Sequence, residues 1–132
     1  MKTARFLPIL LLMIAVCAFA SDADIRKSLV GTWRLVQTRP QDRNIVSLMI
    51  FAPSADFTNR IIFPGAVNAI ENSGTFQVQD GCLVLTIKSM DLQAVEHLPM
   101  VTRSKIIQAD DIQLVIVDDG ATNKQTFKKV TR

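Results

Sequence analysis

The strongest constraint on the fold is a series of apolar runs of strand length, each separated from the next by turn-forming residues. Several connectors are very short: residues 54–56 and 109–111 have three residues each, and Asp80-Gly81 is a two-residue turn that tolerates positive φ. Short connectors place consecutive strands side by side and antiparallel, so the chain is predicted to form a meander. Eight strands are predicted, at residues 32–38, 47–52, 57–63, 75–79, 82–88, 101–108, 112–117 and 124–130.

The residue composition favours a sheet, because Val, Ile and Thr supply 31 of the 112 residues that follow Ala20. Alternation gives most of these strands one apolar face, which must be buried. The one predicted helix, Asp22–Leu29 with Ser21 or Asp22 as its N-cap, is too short to cover eight strands. Closing the sheet buries that face and removes the exposed edges. We therefore predict an all-β fold, an eight-stranded antiparallel up-and-down β-barrel with a short N-terminal helix plugging one end.

The first twenty residues are typical of a secretory signal peptide. Lys2 and Arg5 precede an apolar stretch, which ends in the small-x-small cleavage motif of residues 18–20. We predict cleavage after Ala20, a single barrel domain over residues 21–132, and a secreted or periplasmic location.

Two other interpretations of this leader are weaker. A retained signal anchor is disfavoured because the apolar segment 6–20 is short and Pro8 interrupts it. A lipoprotein leader would use Cys17, but Val16 directly before it is bulkier than the small residue such a motif needs. Lipid anchoring at Cys17 is therefore not expected.

Charge and cysteine usage exclude several classes of protein. After Ala20 the chain has 13 Lys and Arg against 12 Asp and Glu, which argues against a strongly basic nucleic-acid binder. No apolar run after Ala20 approaches the roughly 20 residues of a membrane-spanning helix. Cys82 is the one cysteine that remains after cleavage, so an internal disulfide cannot form, and we interpret it as a small packed hydrophobe.

The residue patterns of known catalytic and metal sites are missing from the sequence. His97 is the single histidine, and no Cys-x-x-Cys, His-Glu-x-x-His, phosphate-binding glycine loop or Gly-x-Ser-x-Gly elbow occurs. Asp110-Asp111 and Asp118-Asp119 lie in predicted turns and lack EF-hand spacing, so we interpret them as turn formers. No catalytic residue, metal or cofactor is predicted, and the protein is not expected to be an enzyme.

A family resemblance begins at Gly31-Thr32-Trp33, which resembles the opening of a lipocalin. The order of the later segments 50–51, 56–59, 73–78 and 126–130 is similar to that of small secreted lipocalin-like domains of bacteria. This resemblance implies a calycin-type barrel in which the tryptophan closes one end.

In lipocalins an arginine of a late strand often packs over that tryptophan, a cation–π contact worth about 0.5–2 kcal/mol. Here Lys128, Lys129 and Arg132 are the candidates. Lys129 is favoured because it shares a strand face with Phe127.

The predicted barrel interior is the candidate binding site. We expect it to hold a small hydrophobic ligand, with Asn59 as a polar contact. The same apolar alternation also builds a fully packed core, and the sequence does not distinguish the two. The predicted interior residues are Leu48, Ile50, Phe57, Asn59, Ile61, Phe76, Val78, Leu85 and Leu114.

The alternative hypothesis is an envelope interaction or inhibitor barrel with a packed interior, which binds a protein partner through its loops. Two poorly defined connectors, residues 64–73 and 91–99, would supply the contacts. The first could also be a lid or a short helix. Val67, Ile70, Val95 and Leu98 are the apolar candidates for exposed contacts in these loops.

Overall fold

Eight antiparallel strands close into one barrel in this computed structural model, which describes residues 20–91 and 97–131. Each strand pairs with its neighbours in the chain, and β1 also pairs with β8, so the predicted fold class is confirmed. The elements are α1 Asp22–Leu29, β1 Gly31–Leu35, a 3₁₀ helix Pro40–Asp42, β2 Val46–Phe51, β3 Asp56–Ile62, β4 Ile70–Gln79, β5 Cys82–Met90, β6 Met100–Ala109, β7 Gln113–Asp118 and β8 Lys124–Lys129.

The helix has the predicted bounds, and Ser21 is its N-cap. The backbone N–H of Asp24 donates to Ser21 Oγ at 3.2 Å, which satisfies one of the free amides of the first turn. On the inner side of the helix Leu29 is fully buried and Ile25 packs against the barrel core. The helix therefore closes one end of the barrel with its apolar face.

Side chains of α1 also tie it to two of the turns at this end. The Asp22 carboxylate accepts the backbone N–H groups of Asp80 (2.8 Å) and Gly81 (2.9 Å) in the β4–β5 turn. On the next turn of the helix, Arg26 Nη2 donates to the carbonyl of Pro53 at 3.1 Å. Hydrogen bonds of charged groups to backbone are among the stronger ones, so the helix is held across the barrel end.

Residues 70–73 are part of β4, whereas the sequence left them in the poorly defined connector 64–73, which could be an interaction loop, a lid or a short helix. The register of β4 against β5 shifts between Ser73 and Gly74. At Gly74 the strands pass so closely that a Cβ would lie 1.8 Å from the carbonyl oxygen of Thr86. Glycine permits this approach, and the irregularity hides the strand from a search for regular alternation.

The inner face of β2 is the opposite of the predicted one. Met49 is buried and lies opposite Trp33, whereas Leu48 lies opposite the exposed Arg34. Leu48 and Ile50 are thus on the outer wall, and their predicted interior position was wrong. Four successive residues of this strand are apolar, so alternation alone cannot select a face; pairing with the neighbouring strands does.

One end of the interior, which we call the base, is closely packed. Phe51 contacts two other aromatic rings, with centroid distances of 5.8 Å to Phe57 and 4.8 Å to Phe76, the latter edge to face. Arrangements of this kind stabilise a core beyond the area they bury. The base consists of Leu29, Trp33, Phe51, Phe57, Phe76, Leu83 and Leu114.

Candidate functional site

At the base, the side chains of Trp33 and Lys129 donate hydrogen bonds to the carbonyl groups at the end of α1. Trp33 is fully buried, and its Nε1–H donates to the carbonyl of Leu29 at 2.8 Å. Lys129 Nζ lies 5.2 Å from the centroid of the Trp33 ring and donates to the carbonyl of Ser28 at 3.4 Å. The last carbonyls of a helix have no partner within it and carry partial negative charge, which suits both donors. Lys129, rather than Lys128, therefore makes the contact with the tryptophan.

Gly31 is required for this arrangement. Its φ is +135°, a conformation that residues with a side chain rarely adopt. A Cβ at this position would also lie 2.9 Å from Cε of Lys129. The Gly-x-Trp motif and Lys129 thus form one structural lock, and the base offers no room for a ligand.

A cavity of about 210 Å³ lies inside the barrel away from this lock, and we call it the cup. Seven of the eight strands contribute to its lining, and β4 does not. Its apolar lining residues are Leu35, Met49, Leu85, Ile116 and Phe127. Its polar lining residues are Ser47, Asn59, Thr102, Ser104, Asp118 and Gln125.

The apolar part of the cup is continuous with the packed base. Met49, Ile116 and Phe127 are buried members of the same core cluster as Trp33, while Leu85 is half-buried against it. These residues form an apolar floor, which can exclude water from the apolar surface of a molecule of suitable shape.

Two polar residues of the wall are joined by a hydrogen bond. Ser104 and Asp118 lie opposite each other on β6 and β7. Ser104 is 4 % exposed, and its hydroxyl donates to Asp118 Oδ1 at 2.7 Å. Asp118 itself is exposed, so its carboxylate lies at the rim of the cup. The hydrogen bond from the buried Ser104 orients this carboxylate.

Asn59 lines the cup, but its amide oxygen is buried. Oδ1 has no hydrogen-bond partner among the described residues. Leaving a buried polar group unpaired costs about 1–3 kcal/mol. Most buried polar groups in native proteins have a partner, so Asn59 departs from the satisfied packing of the base.

The charge of the cup is negative. Asp118 is the one ionisable residue among the eleven that line it. The ion pairs among residues 20–91 and 97–131 are Arg39–Asp42 at 3.7 Å and Arg60–Glu71 at 2.8 Å, and neither includes Asp118. The Asp118 carboxylate is therefore not neutralised by a salt bridge within that part of the chain.

The structure divides the predicted interior residues into four groups. Asn59 and Leu85 line the cup. Phe57, Phe76 and Leu114 are buried in the base, and Val78 packs against that core. Ile61, opposite Ile70, is half-buried outside the cup lining, and Leu48 and Ile50 are on the outer wall.

Sequence reasoning missed most of the polar wall, because it searched for apolar residues on the inner face. In this part of β6 the polar residues face inward and an apolar residue faces outward. Thr102 and Ser104 line the cup, while Val101 is 63 % exposed on the outer wall. Asp118, predicted to be a turn former, is the last residue of β7. No signal in the sequence identified Thr102, because the register that places it opposite Leu85 is set across the long connector between β5 and β6.

Other predicted features have less bearing on the site. Cys82 is half-buried and lies on the opposite face of β5 from the buried Leu83. His97 is exposed. Residues 1–19 of the predicted leader, residues 92–96 with Val95, and Arg132, a candidate for the tryptophan contact, lie outside the described residues.

Within residues 20–91 and 97–131, no group of three or more His, Cys, Asp or Glu side chains is placed to hold a metal ion. In the same part of the chain, no helix is both long enough and apolar enough to cross a membrane.

The strand order, the plugged base and the cup define the class of fold: a closed, eight-stranded, antiparallel up-and-down barrel, compatible with a calycin-type fold. No protein-family model matches the chain, and no curated protein matches it.

Proposed function

We propose that this protein is an exported, lipocalin-like, non-catalytic barrel that binds a small, largely hydrophobic ligand in the cup. The observation that carries the proposal is a cavity of about 210 Å³ with an apolar floor, inside a barrel whose other end is filled by side chains. Ligand sites are typically concave, mostly apolar, and provided with a few polar groups that orient the ligand.

The volume of the cup indicates how much of a ligand lies inside the barrel. A protein cavity of roughly 150 Å³ holds benzene, which has six heavy atoms, so 210 Å³ suits about nine. Pockets for drug-sized molecules are larger, at about 300–1,000 Å³. The enclosed part of the ligand is therefore compact, with one ring or a short chain, and any longer part would extend through the open mouth of the cup into solvent.

The lipocalin-like assignment is supported by the lock of Gly31, Trp33 and Lys129, which agrees with what the family resemblance implies. Export is supported by the leader motif that ends at Ala20. The intact mass of the protein from culture medium or periplasmic extract tests the export. An intact mass equal to that of residues 21–132 supports export, and the mass of the full-length chain in the cytoplasmic fraction contradicts it.

The binding proposal is tested by NMR titration of the isotope-labelled domain 21–132 with propylbenzene, an aromatic hydrocarbon with nine carbon atoms. Shifts are expected for the amides of Leu85 and Thr102, with a dissociation constant of about 0.1–1 mM for so small a ligand. A Thr102→Phe variant fills the cup and should lose the binding. The matched Val101→Phe variant places the same ring on the outer wall of β6 and should keep it.

The result that would overturn the proposal is equally direct. If propylbenzene leaves the spectrum of the folded wild-type domain unchanged up to its solubility, the cup does not bind apolar ligands. Equal binding by the Thr102→Phe and Val101→Phe variants would place the ligand somewhere else on the molecule.

A second candidate function is contact with a protein partner through the β3–β4 loop. Val67 in this loop is 96 % exposed and Phe63 at its start is 40 % exposed, although apolar residues usually avoid water. Cross-linking from position 67 in envelope preparations tests it. A discrete adduct that persists in the Thr102→Phe variant and disappears in a Phe63→Ser variant would favour this function over the first.

A further inference from the structure

We infer that the ligand of the cup is a small amine, with an ammonium group at the rim and an apolar body on the floor. The inference rests on the proposed function and names its ligand class. It comes from the charge and the hydrogen-bonding capacity of the polar wall, which differ from those of a purely apolar cavity.

The charge of the wall selects for cations and against anions. Asp118 is the one ionisable lining residue, and no Lys or Arg lines the cup. A carboxylate or phosphate group at the rim would meet a like charge without any basic side chain to compensate for it. An ammonium group at the same place is attracted.

The Asp118 carboxylate is the one lining group that can only accept hydrogen bonds, whereas the hydroxyls and amides of the wall can both donate and accept. The Ser104 hydroxyl donates to Asp118 Oδ1 and so uses part of the carboxylate's capacity, which comprises about four lone-pair positions. An ammonium group has three N–H donors and no acceptor, so it complements the carboxylate and can also donate to hydroxyl and amide oxygens of the wall.

The floor determines the rest of the ligand. Met49, Ile116 and Phe127 are buried apolar side chains beneath the polar wall. A ligand of about nine heavy atoms that reaches from this floor to the rim has space for one ring and a short aminoalkyl chain. The substrate class is therefore an arylalkylamine or a similar compact primary amine.

The test uses four compounds of similar size and shape: 2-phenylethylamine, 2-phenylethanol, propylbenzene and phenylacetate. Each is titrated into the domain 21–132 at pH 7 and low salt, and dissociation constants are taken from NMR shifts. The Asp118→Asn variant should weaken binding of the amine about 3- to 10-fold, since an ion pair at an exposed rim is worth little more. It should change the affinity for propylbenzene less than about twofold and improve that for the acid.

Asp119→Asn is the matched control. It removes the same charge one residue further along the chain, at a position that does not line the cup. The amine affinity of this variant should stay within about twofold of wild type, because the Asp119 carboxylate does not line the cup and would act on the ligand only through water, whose high dielectric constant weakens the attraction. If the two variants weaken amine binding equally, the effect is one of net charge and the inference fails.

A measurement on the wild-type domain keeps the test independent of variant folding. Raising the salt from 20 to 500 mM should weaken binding of the amine several-fold and leave 2-phenylethanol nearly unchanged. If all four compounds bind, and their dissociation constants depend neither on the head group, nor on salt, nor on Asp118, the amine inference is overturned while the cavity function stands. If none of the four binds, the proposed function itself fails.

Discussion

The two ends of the barrel interior are built from the same strands but differ in packing and in how their polar groups are paired. At the base, Trp33 donates to the last helical carbonyl, and Lys129 donates to the one before it. Beside the cup, Asn59 keeps a buried oxygen that has no hydrogen-bond partner among the described residues. The base is closely packed, whereas the cup leaves a cavity of about 210 Å³. Consistent packing and satisfied polar groups specify a fold, and departures from them concentrate at functional sites. The comparison teaches that one core can be closely packed at one end and open at the other, and the open end is where we propose that the ligand binds.

The largest expected effect comes from removing the same side chain at each end. Leu83 and Leu85 lie two residues apart on the inner face of β5, the first in the base at 1 % exposure and the second on the cup. Leu83→Ala should lower the free energy of unfolding by about 3–5 kcal/mol, because it opens a closed cavity. Leu85→Ala should cost about 2 kcal/mol, since it enlarges a cavity that already exists. Urea denaturation measures both, and equal losses would abolish the distinction between base and cup.

A second prediction tests whether Trp33 is central to the base. Trp33→Phe removes the Nε1–H donor from the Leu29 carbonyl and part of the ring that faces Lys129. We expect a loss of about 1–3 kcal/mol, because a buried carbonyl is left without its partner. Thermal and urea unfolding of the variant give the value, and a loss smaller than about 1 kcal/mol would argue against a central role.

The third prediction has the opposite sign. Asn59→Leu replaces a side chain whose buried oxygen has no hydrogen-bond partner among the described residues, so it should raise the free energy of unfolding by about 1 kcal/mol. Asn72, opposite Asn59 on β4, is the control, since it has no buried polar atom without a partner and Asn72→Leu should bring no such gain. A destabilised Asn59→Leu domain would show that the asparagine serves the fold rather than the ligand.

The smallest effect is expected at a turn of the base end. The Gln108 side chain, the backbone N–H groups of Ile112 and Gln113, and the nearby Lys128 together lower the pKa of Asp110. A carboxyl with a lowered pKa in the folded state stabilises the fold above its unfolded pKa and loses this contribution as the pH falls through the folded pKa. Asp110→Asn should therefore be slightly less stable than wild type at pH 7.

Urea unfolding of wild type and Asp110→Asn from pH 7 to pH 2 measures this dependence. The difference between the two should shrink below about pH 4, where the carboxyl becomes protonated in both states. A difference that stays constant over this range would mean that the charge of Asp110 does not stabilise the turn.

Local signals were sufficient for much of the fold. The helix has the predicted bounds because Ser21 is a strong N-cap and the polar residues around Ile25 and Leu29 leave a single apolar face. The Asp80-Gly81 turn joins β4 and β5 as predicted, and both residues have the positive φ that such a turn needs, 53° and 73°. Lys129 reaches Trp33 because period-2 alternation places it on the same face as Phe127.

The candidate site was less predictable than the fold. Only Asn59 and Leu85 of the nine predicted interior residues line the cup. In β2 both faces are apolar, and in β4 a close approach at Gly74 interrupts the pattern. Neither ambiguity can be resolved within one strand, because the inner face depends on which residues the neighbouring strands present.

The sequence by itself determined the helix, the number and order of the strands, and the closed barrel, since turn chemistry and alternation act over a few neighbouring residues. Tertiary structure alone decided which residues meet across the interior. Ser104 and Asp118 are fourteen residues apart in the chain, and strand register places one opposite the other. Closure of β1 on β8 then brings Leu35 and Phe127 to the same cavity as Asn59. Side chains that are distant in the chain become one site because a barrel points alternate residues of every strand at a common centre.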